Sequence, residues 1–315
     1  MAFVDRLDPE LAPMLEVFPA ALFAASGDDP PAAREMLASL MAGMAEMLPP
    51  TEVQIEERSI PGPDGDIPIA IYQPPNPAPR PGLLLMHSGG YVIGSEREDM
   101  HGISFAEHVG CTVVSVGYRL APESTYQAAI ADSFAGLNWM VDNADELGID
   151  TSRIAIGGAS AGAGLSAGLA LYNRDNSGPD VALQLLIYPM LDDTHETPSG
   201  YEVTHPNVWN RDVSLKAWQM YLGDEYGTDS VSPYAAAARA TDLSGLPPAF
   251  VTVGTEDLFR DESIDYAQRL MAAGVPTQLE VYPGVFHASE TIAPTAAVSQ
   301  RMRLGYLDAL KRAIG

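Results

Sequence analysis

A serine, a carboxylate and a histidine each follow a short apolar run in this 315-residue chain: Ser160 after residues 154–156, Asp257 after 251–253 and His287 after 279–282. Together, these side chains can carry out acyl transfer. A serine hydroxyl is a weak nucleophile at neutral pH and needs an imidazole to take its proton. The imidazole needs a carboxylate to hold its tautomer and stabilise its cation. Chain order narrows the choice, because His287 is the sole histidine beyond the acidic stretch. Glu256, Asp257 and Asp261 compete for the acid. Distance from the end of the apolar run favours Asp257, with Glu256 second. Asp261 reads as the start of a helix, where a negative charge complements the dipole.

Ser160 stands in Gly158-x-Ser160-x-Gly162, between a short buried strand and an Ala/Leu/Gly-rich helix that runs to about residue 173. A sharp strand–turn–helix corner lifts the hydroxyl clear of the backbone and leaves no room for side chains beside it, which glycine satisfies. Attack on a carbonyl creates an oxyanion that needs donors. The backbone N–H groups of Gly89 and Gly90, in His87-Ser88-Gly89-Gly90 directly after the apolar run 83–86, and of Ala161 are expected to supply them.

Two other motifs overlap this corner. Gly164-Leu165-Ser166-Ala167-Gly168 repeats the pattern, but Ser166 falls nearly two turns into the helix and reads as a packing residue. Gly162-x-Gly164-x-x-Ala167 loosely fits a dinucleotide fingerprint, yet its first glycine lies inside the helix and not where the strand stops. His101, His108, His195 and His205 lack metal-ligand spacing. No cofactor and no metal is expected.

The elements that must position these residues follow from periodicity. Residues 83–86 form a fully apolar run, as a central parallel strand requires, and 112–116, 154–156, 183–188 and 249–253 read as further buried strands. Residues 51–60 and 67–72 alternate and read as an antiparallel hairpin at a sheet edge, turning at 61–65. Helical spacing recurs in 126–141, 213–222, 261–273 and 295–313. Strands alternating with helices predict an α/β fold: a mostly parallel central sheet with helices on both faces, and ligands bound at the carboxyl ends of the strands. Residues 1 to about 50 look helical, from Leu11, Met14, Leu15 and Phe18 and from Leu37, Leu40, Met41, Met44 and Met47, with Pro30-Pro31 and Pro49-Pro50 as breaks. Residues 190 to about 225 read as a partly helical insertion.

Composition sets outer bounds. A 46% hydrophobic share over 315 residues suits one large globular domain. The 42 acids against 17 bases give a formal charge of −25, which repels nucleic acid and anionic membranes. Cys111 is the lone cysteine and reads as a buried strand residue in a reducing, cytoplasmic setting. The first residues carry no basic, apolar leader pattern, and no apolar stretch reaches transmembrane length, so no stable membrane insertion is expected.

Serine, acid, histidine is the chain order of the α/β-hydrolase triad. With His87-Ser-Gly-Gly-Tyr91, Tyr118-Arg-Leu-Ala-Pro-Glu123, Gly158-Ala-Ser-Ala-Gly162, Leu246-Pro-Pro-Ala249, Asp257-Leu-Phe-Arg-Asp-Glu262 and Gly284-Val-Phe-His287, the chain resembles the bacterial hormone-sensitive-lipase family of carboxylesterases from about residue 56 to 310. The resemblance implies a single α/β-hydrolase domain over 1–315 and a helical cap from about 1–50 and about 190–225. It also implies a homodimer and cofactor-free hydrolysis of a small-molecule ester through an acyl-enzyme. Amidase or formamidase chemistry on the same triad, and a non-catalytic ligand-binding role, are the alternatives. Two positions depart from the family pattern. Ser88 stands where it has glycine, and Ala159 where it has an acid or threonine.

Overall fold

The computed structural model describes residues 2–45, 50–98 and 101–315. Met47 and Pro49, which the sequence pattern invokes, lie outside the described residues. Eight strands form one sheet: β1 (Gln54–Gly62), β2 (Gly65–Gln73), β3 (Arg80–Met86), β4 (Thr112–Val116), β5 (Ile149–Ala159), β6 (Leu183–Ile187), β7 (Ala249–Gly254) and β8 (Thr277–Tyr282). Their order is β1-β2-β4-β3-β5-β6-β7-β8. β1 and β2 pair antiparallel with each other, β2 pairs antiparallel with β4, and every later pairing is parallel.

The burial pattern explains the sequence pattern. β4, β6 and β7 are buried at every residue, because helices cover both faces of the sheet, and they are mostly apolar with Thr112, Ser115, Gln184 and Thr252 as buried exceptions. The outermost strands are solvated: β1 is exposed along most of its length with Ile60 as its buried residue, and β8 is half-buried to exposed. Helix Ala161–Asp175 packs on β5 and β6 beside helix Tyr126–Asp142. Helix Ala297–Ile314 packs on β5, β6 and β7 beside helix His101–Val109. Cys111 is fully buried directly before β4 and not within a strand, and burial pushes its thiol up to about 12.

Two local expectations shift. The hairpin strands extend through Gly62 and Gly65, leaving Pro63-Asp64 as the turn. Pro61 is tolerated there because β1 is an edge strand, where a missing N–H costs no ladder bond. Residues 11–18 form a short 3-10 turn, Ala12–Met14, and not a longer helix. Pro13 and Pro19 each remove an N–H that a helix would need. Leu11 and Leu15 are nevertheless buried, so the apolar spacing reports burial correctly while the prolines set the conformation.

Helices Ala20–Asp28 and Pro30–Ala45 pack on each other, and Ala20–Asp28 also meets helix Arg211–Leu222 of the insertion. Lys216 pairs with Asp28 at 2.5 Å. Arg34 anchors this layer to the body. Its guanidinium donates to the carbonyls of Val92 (2.8 Å) and Ala121 (2.9 Å) and meets the carboxylate of Glu123 with two nitrogens, which holds that carboxyl below its ordinary value.

Candidate active site

The corner after β5 is built by close contact. A Cβ on Gly158 would lie 2.3 Å from the Met86 carbonyl oxygen, and one on Gly162 would lie 2.0 Å from the same atom. The end of β3 is therefore wedged between the residues flanking the serine, and only glycine fits on either side. Ser160 adopts φ 57° and ψ −122°, a region costing about 1–3 kcal/mol for a residue with a side chain. Its own backbone compensates. The Ser160 N–H donates to Ile187 (2.9 Å), and its carbonyl accepts from Gly164 (2.9 Å) and Met190 (3.1 Å).

β5 and β8 stand three strands apart, about 14 Å at roughly 4.8 Å per strand, so a histidine after β8 must be folded back to reach Ser160. The loop after β8 is stapled to the loop after β7. Thr255 N–H donates to Tyr282 (2.9 Å), Glu256 N–H to Val285 (3.0 Å), and Gly284 N–H to the Thr255 hydroxyl (2.9 Å). His287 Nε2 then lies 2.9 Å from Ser160 Oγ, and its Nδ1 lies 2.9 and 3.1 Å from the two carboxylate oxygens of Asp257. Asp257 is fully buried and also accepts the Phe259 N–H at 2.9 Å. Tyr188 and Phe259 meet the imidazole edge-on, with ring centroids 4.7 and 5.0 Å away. The Tyr188 hydroxyl donates to buried Glu290 at 2.5 Å.

The competing acids point elsewhere. The Glu256 carboxylate pairs with Arg6 at 2.6 Å, and the neighbouring Asp8 N–H donates to Gly284 at 3.0 Å, so the N-terminal segment is tied to both loops. Asp261 lies in the first turn of helix Arg260–Ala272 and accepts the Ser199 N–H at 2.7 Å. Ser166 is fully buried, and its hydroxyl donates to the Gly162 carbonyl at 2.7 Å within its own helix.

The loop after β3 turns through Gly89 (φ 119°) and Gly90 (φ 60°). The N–H groups of Gly89, Gly90 and Ala161 have no acceptor among the described residues. His87 Nδ1 donates to the Ser88 carbonyl at 2.8 Å, and its ring stacks on Tyr118 at 4.2 Å. Tyr91 stacks on Tyr221 at 3.8 Å, which ties the loop to helix Arg211–Leu222. A cavity of about 130 Å³ opens above Ser160 and His287, with Phe18, Phe23 and Trp209 in its wall. The sequence pattern did not single out Tyr188 or Trp209. Pro189 marks the end of β6 but says nothing of what Tyr188 touches, and Trp209 sits in a stretch without local periodicity.

His195 and Glu262 form a buried pair beneath the site. Burial, with Arg211 as a lesser cause, pushes the imidazole down to about 3, and burial, aided by Asp192, pushes the carboxyl well above its ordinary range. His195 Nδ1 and a Glu262 carboxyl oxygen lie 3.7 Å apart. Glu262 accepts the N–H groups of Leu191 (2.7 Å) and Asp192 (3.2 Å) and so supports the chain leaving β6. Among the described residues, no three His, Cys, Asp or Glu side chains cluster in a way that could hold a metal ion, and no helix is long and apolar enough to cross a membrane.

Comparison with known proteins identifies the family. A family profile for the alpha/beta hydrolase fold matches residues 83–291. The carboxylesterase NlhH of Mycobacterium tuberculosis is 38% identical over 98% of this chain and 96% of its own length. A bacterial heroin esterase superposes with a TM-score of 0.93 at 42% identity, covering 99% of both chains. A hyperthermophilic esterase from the archaeon Pyrobaculum calidifontis superposes with a TM-score of 0.84 at 33% identity, covering 91% of this chain and 95% of its own. The chain belongs to the hormone-sensitive-lipase-like family of the alpha/beta hydrolase fold.

Proposed function

We propose that this protein is a serine carboxylesterase in which Ser160, His287 and Asp257 form the catalytic triad. The observation that carries the assignment is the unbroken line from Ser160 Oγ through His287 Nε2 and Nδ1 to Asp257, each step within 3.1 Å. Ester hydrolysis itself accords with the curated relatives, which are esterases over nearly the full chain.

As Ser160 Oγ bonds to the ester carbonyl carbon, its proton passes to His287 Nε2, while Asp257 holds the Nδ1 proton and stabilises the imidazolium. The carbonyl oxygen becomes an oxyanion, met by the N–H groups of Gly89, Gly90 and Ala161. Collapse breaks the bond to the alkoxy oxygen, which takes the proton from Nε2 and leaves as the alcohol. Water then attacks the acyl-enzyme with His287 as base, and the acid leaves with Ser160 restored. The helices of residues 20–45 and 211–222 form the cap, and the small cavity fits short- to medium-chain acyl groups. A cytoplasmic setting is supported by the single, buried Cys111. A homodimer rests on the family likeness.

Two measurements test the assignment. Short-acyl p-nitrophenyl esters should be cleaved far faster than anilides of the same acyl group, and a fluorophosphonate probe should label Ser160. Faster anilide turnover would favour an amidase, and an unlabelled Ser160 would favour a binding protein.

Gly90 gives a third prediction. A Cβ there would lie 2.0 Å from the Trp209 ring, at a left-handed φ that costs about 1–2 kcal/mol. Gly90→Ala should displace the donor loop and lower kcat about 10²-fold or more. Adding Trp209→Ala should recover part of that rate by relieving the contact. Unchanged kcat in Gly90→Ala would remove the loop from the oxyanion site.

A further inference from the structure

The cavity above Ser160 has a chemical bias that ester hydrolysis does not explain. Its wall is largely apolar and aromatic, including Phe18, Phe23, Tyr188 and Trp209. Among the described residues lining it, Glu98 is the only carboxylate, and there is no lysine or arginine. The three imidazoles in the wall are engaged otherwise. His287 is hydrogen-bonded to Ser160 and Asp257, His87 to the Ser88 carbonyl, and His101 faces Glu290 at 3.6 Å. Glu98 is half-buried, and the Ser95 hydroxyl hydrogen-bonds its carboxyl. Burial raises its pKa, the Ser95 bond opposes this, and Glu96 adds a like charge, with no cationic side chain among the described residues to compensate.

A carboxylate that has given up part of its water without gaining a cation is an incomplete pair. A ligand cation would complete it, and aromatic faces in the same cavity would add cation–π attraction. The chain's net charge of −25 acts in the same direction over longer range, drawing cations toward the molecule. An anionic ester would meet Glu98 in a low-dielectric cavity and be repelled.

We propose that the cavity selects esters carrying an ammonium group, seated against Glu98 and the surrounding rings. The proposal rests on the ester-hydrolase reading above and adds a substrate class to it. The test uses acetylcholine and its neutral carbon isostere, 3,3-dimethylbutyl acetate, each as a competing ester against p-nitrophenyl acetate. The ratio of their inhibition constants reports the preference whether or not either competitor turns over quickly.

Work at about 1 M salt shortens the Debye length to roughly 3 Å and removes the general surface field, leaving the local contact. There the choline ester should bind about tenfold more tightly than the isostere, consistent with one partly desolvated cation contact. Glu98→Gln should bring the ratio to within about twofold. Equal inhibition constants in the unaltered protein overturn the proposal. A preference that survives Glu98→Gln overturns the role of Glu98. Failure to cleave p-nitrophenyl acetate at all would instead bring down the hydrolase reading, and this proposal with it.

Discussion

Ser160→Ala should lower ester turnover by about 10⁴-fold or more, while Ser166→Ala should stay within about threefold of the unaltered protein. Both serines are buried, both lie at or within the same strand–helix unit, and both sit in a G-x-S-x-G match, so the pair forms an internal control. The difference lies in what each hydroxyl faces. Ser160 Oγ meets an imidazole at 2.9 Å, and no neighbouring group can replace it as the atom that bonds to the acyl carbon. Ser166 Oγ returns to a carbonyl of its own helix, a bond whose loss costs about 1 kcal/mol and is partly offset by the better helix propensity of alanine. Steady-state kinetics on a short-acyl p-nitrophenyl ester decide the matter. The reverse ranking would move the nucleophile to residue 166.

Asp257→Asn should cut kcat by about 10⁴-fold, and Glu256→Gln only a fewfold. The residues are adjacent in sequence and opposite in role. Asp257 accepts the Nδ1–H hydrogen bond in a fully buried position and stabilises the cation that forms on the ring. An amide there can present N–H to Nδ1, which stabilises the tautomer that cannot take the serine proton. Glu256 instead reaches Arg6 in a pair whose carboxylate is buried and whose guanidinium is half-buried, so losing it affects stability more than turnover. Glu256→Gln should therefore show itself mainly as a drop in Tm, with catalysis nearly intact. Equal losses of kcat in the two variants would mean that the wrong acid has been assigned.

The corner around Ser160 was legible because its constraint is local: the serine must turn sharply, and the glycines two residues either side must admit the Met86 carbonyl. The central strands were legible for a similar reason, since burial on both faces favours predominantly apolar, β-branched runs without alternation. Asp257 could be ranked above Glu256 by spacing, but the reason Glu256 is diverted, an arginine 250 positions earlier, leaves no trace in the local pattern. The same holds for the cavity wall. Phe18, Glu98 and Trp209 come from segments far apart in the chain and meet only through tertiary packing. Periodicity misjudged residues 11–18 because it registers which side chains are buried and ignores the backbone donors that Pro13 and Pro19 lack.

The strap formed by Arg6 and Asp8 has a practical side. Whatever is fused ahead of residue 2 pulls on a segment joined directly to the Glu256 and Gly284 loops, and hence on the groups that orient the imidazole. The opposite end leaves the molecule as an exposed glycine after helix Ala297–Ile314. An affinity handle or surface-immobilisation linker placed there keeps its mechanical load off the reaction centre, so the two attachment geometries should yield preparations of unequal specific activity from the same polypeptide.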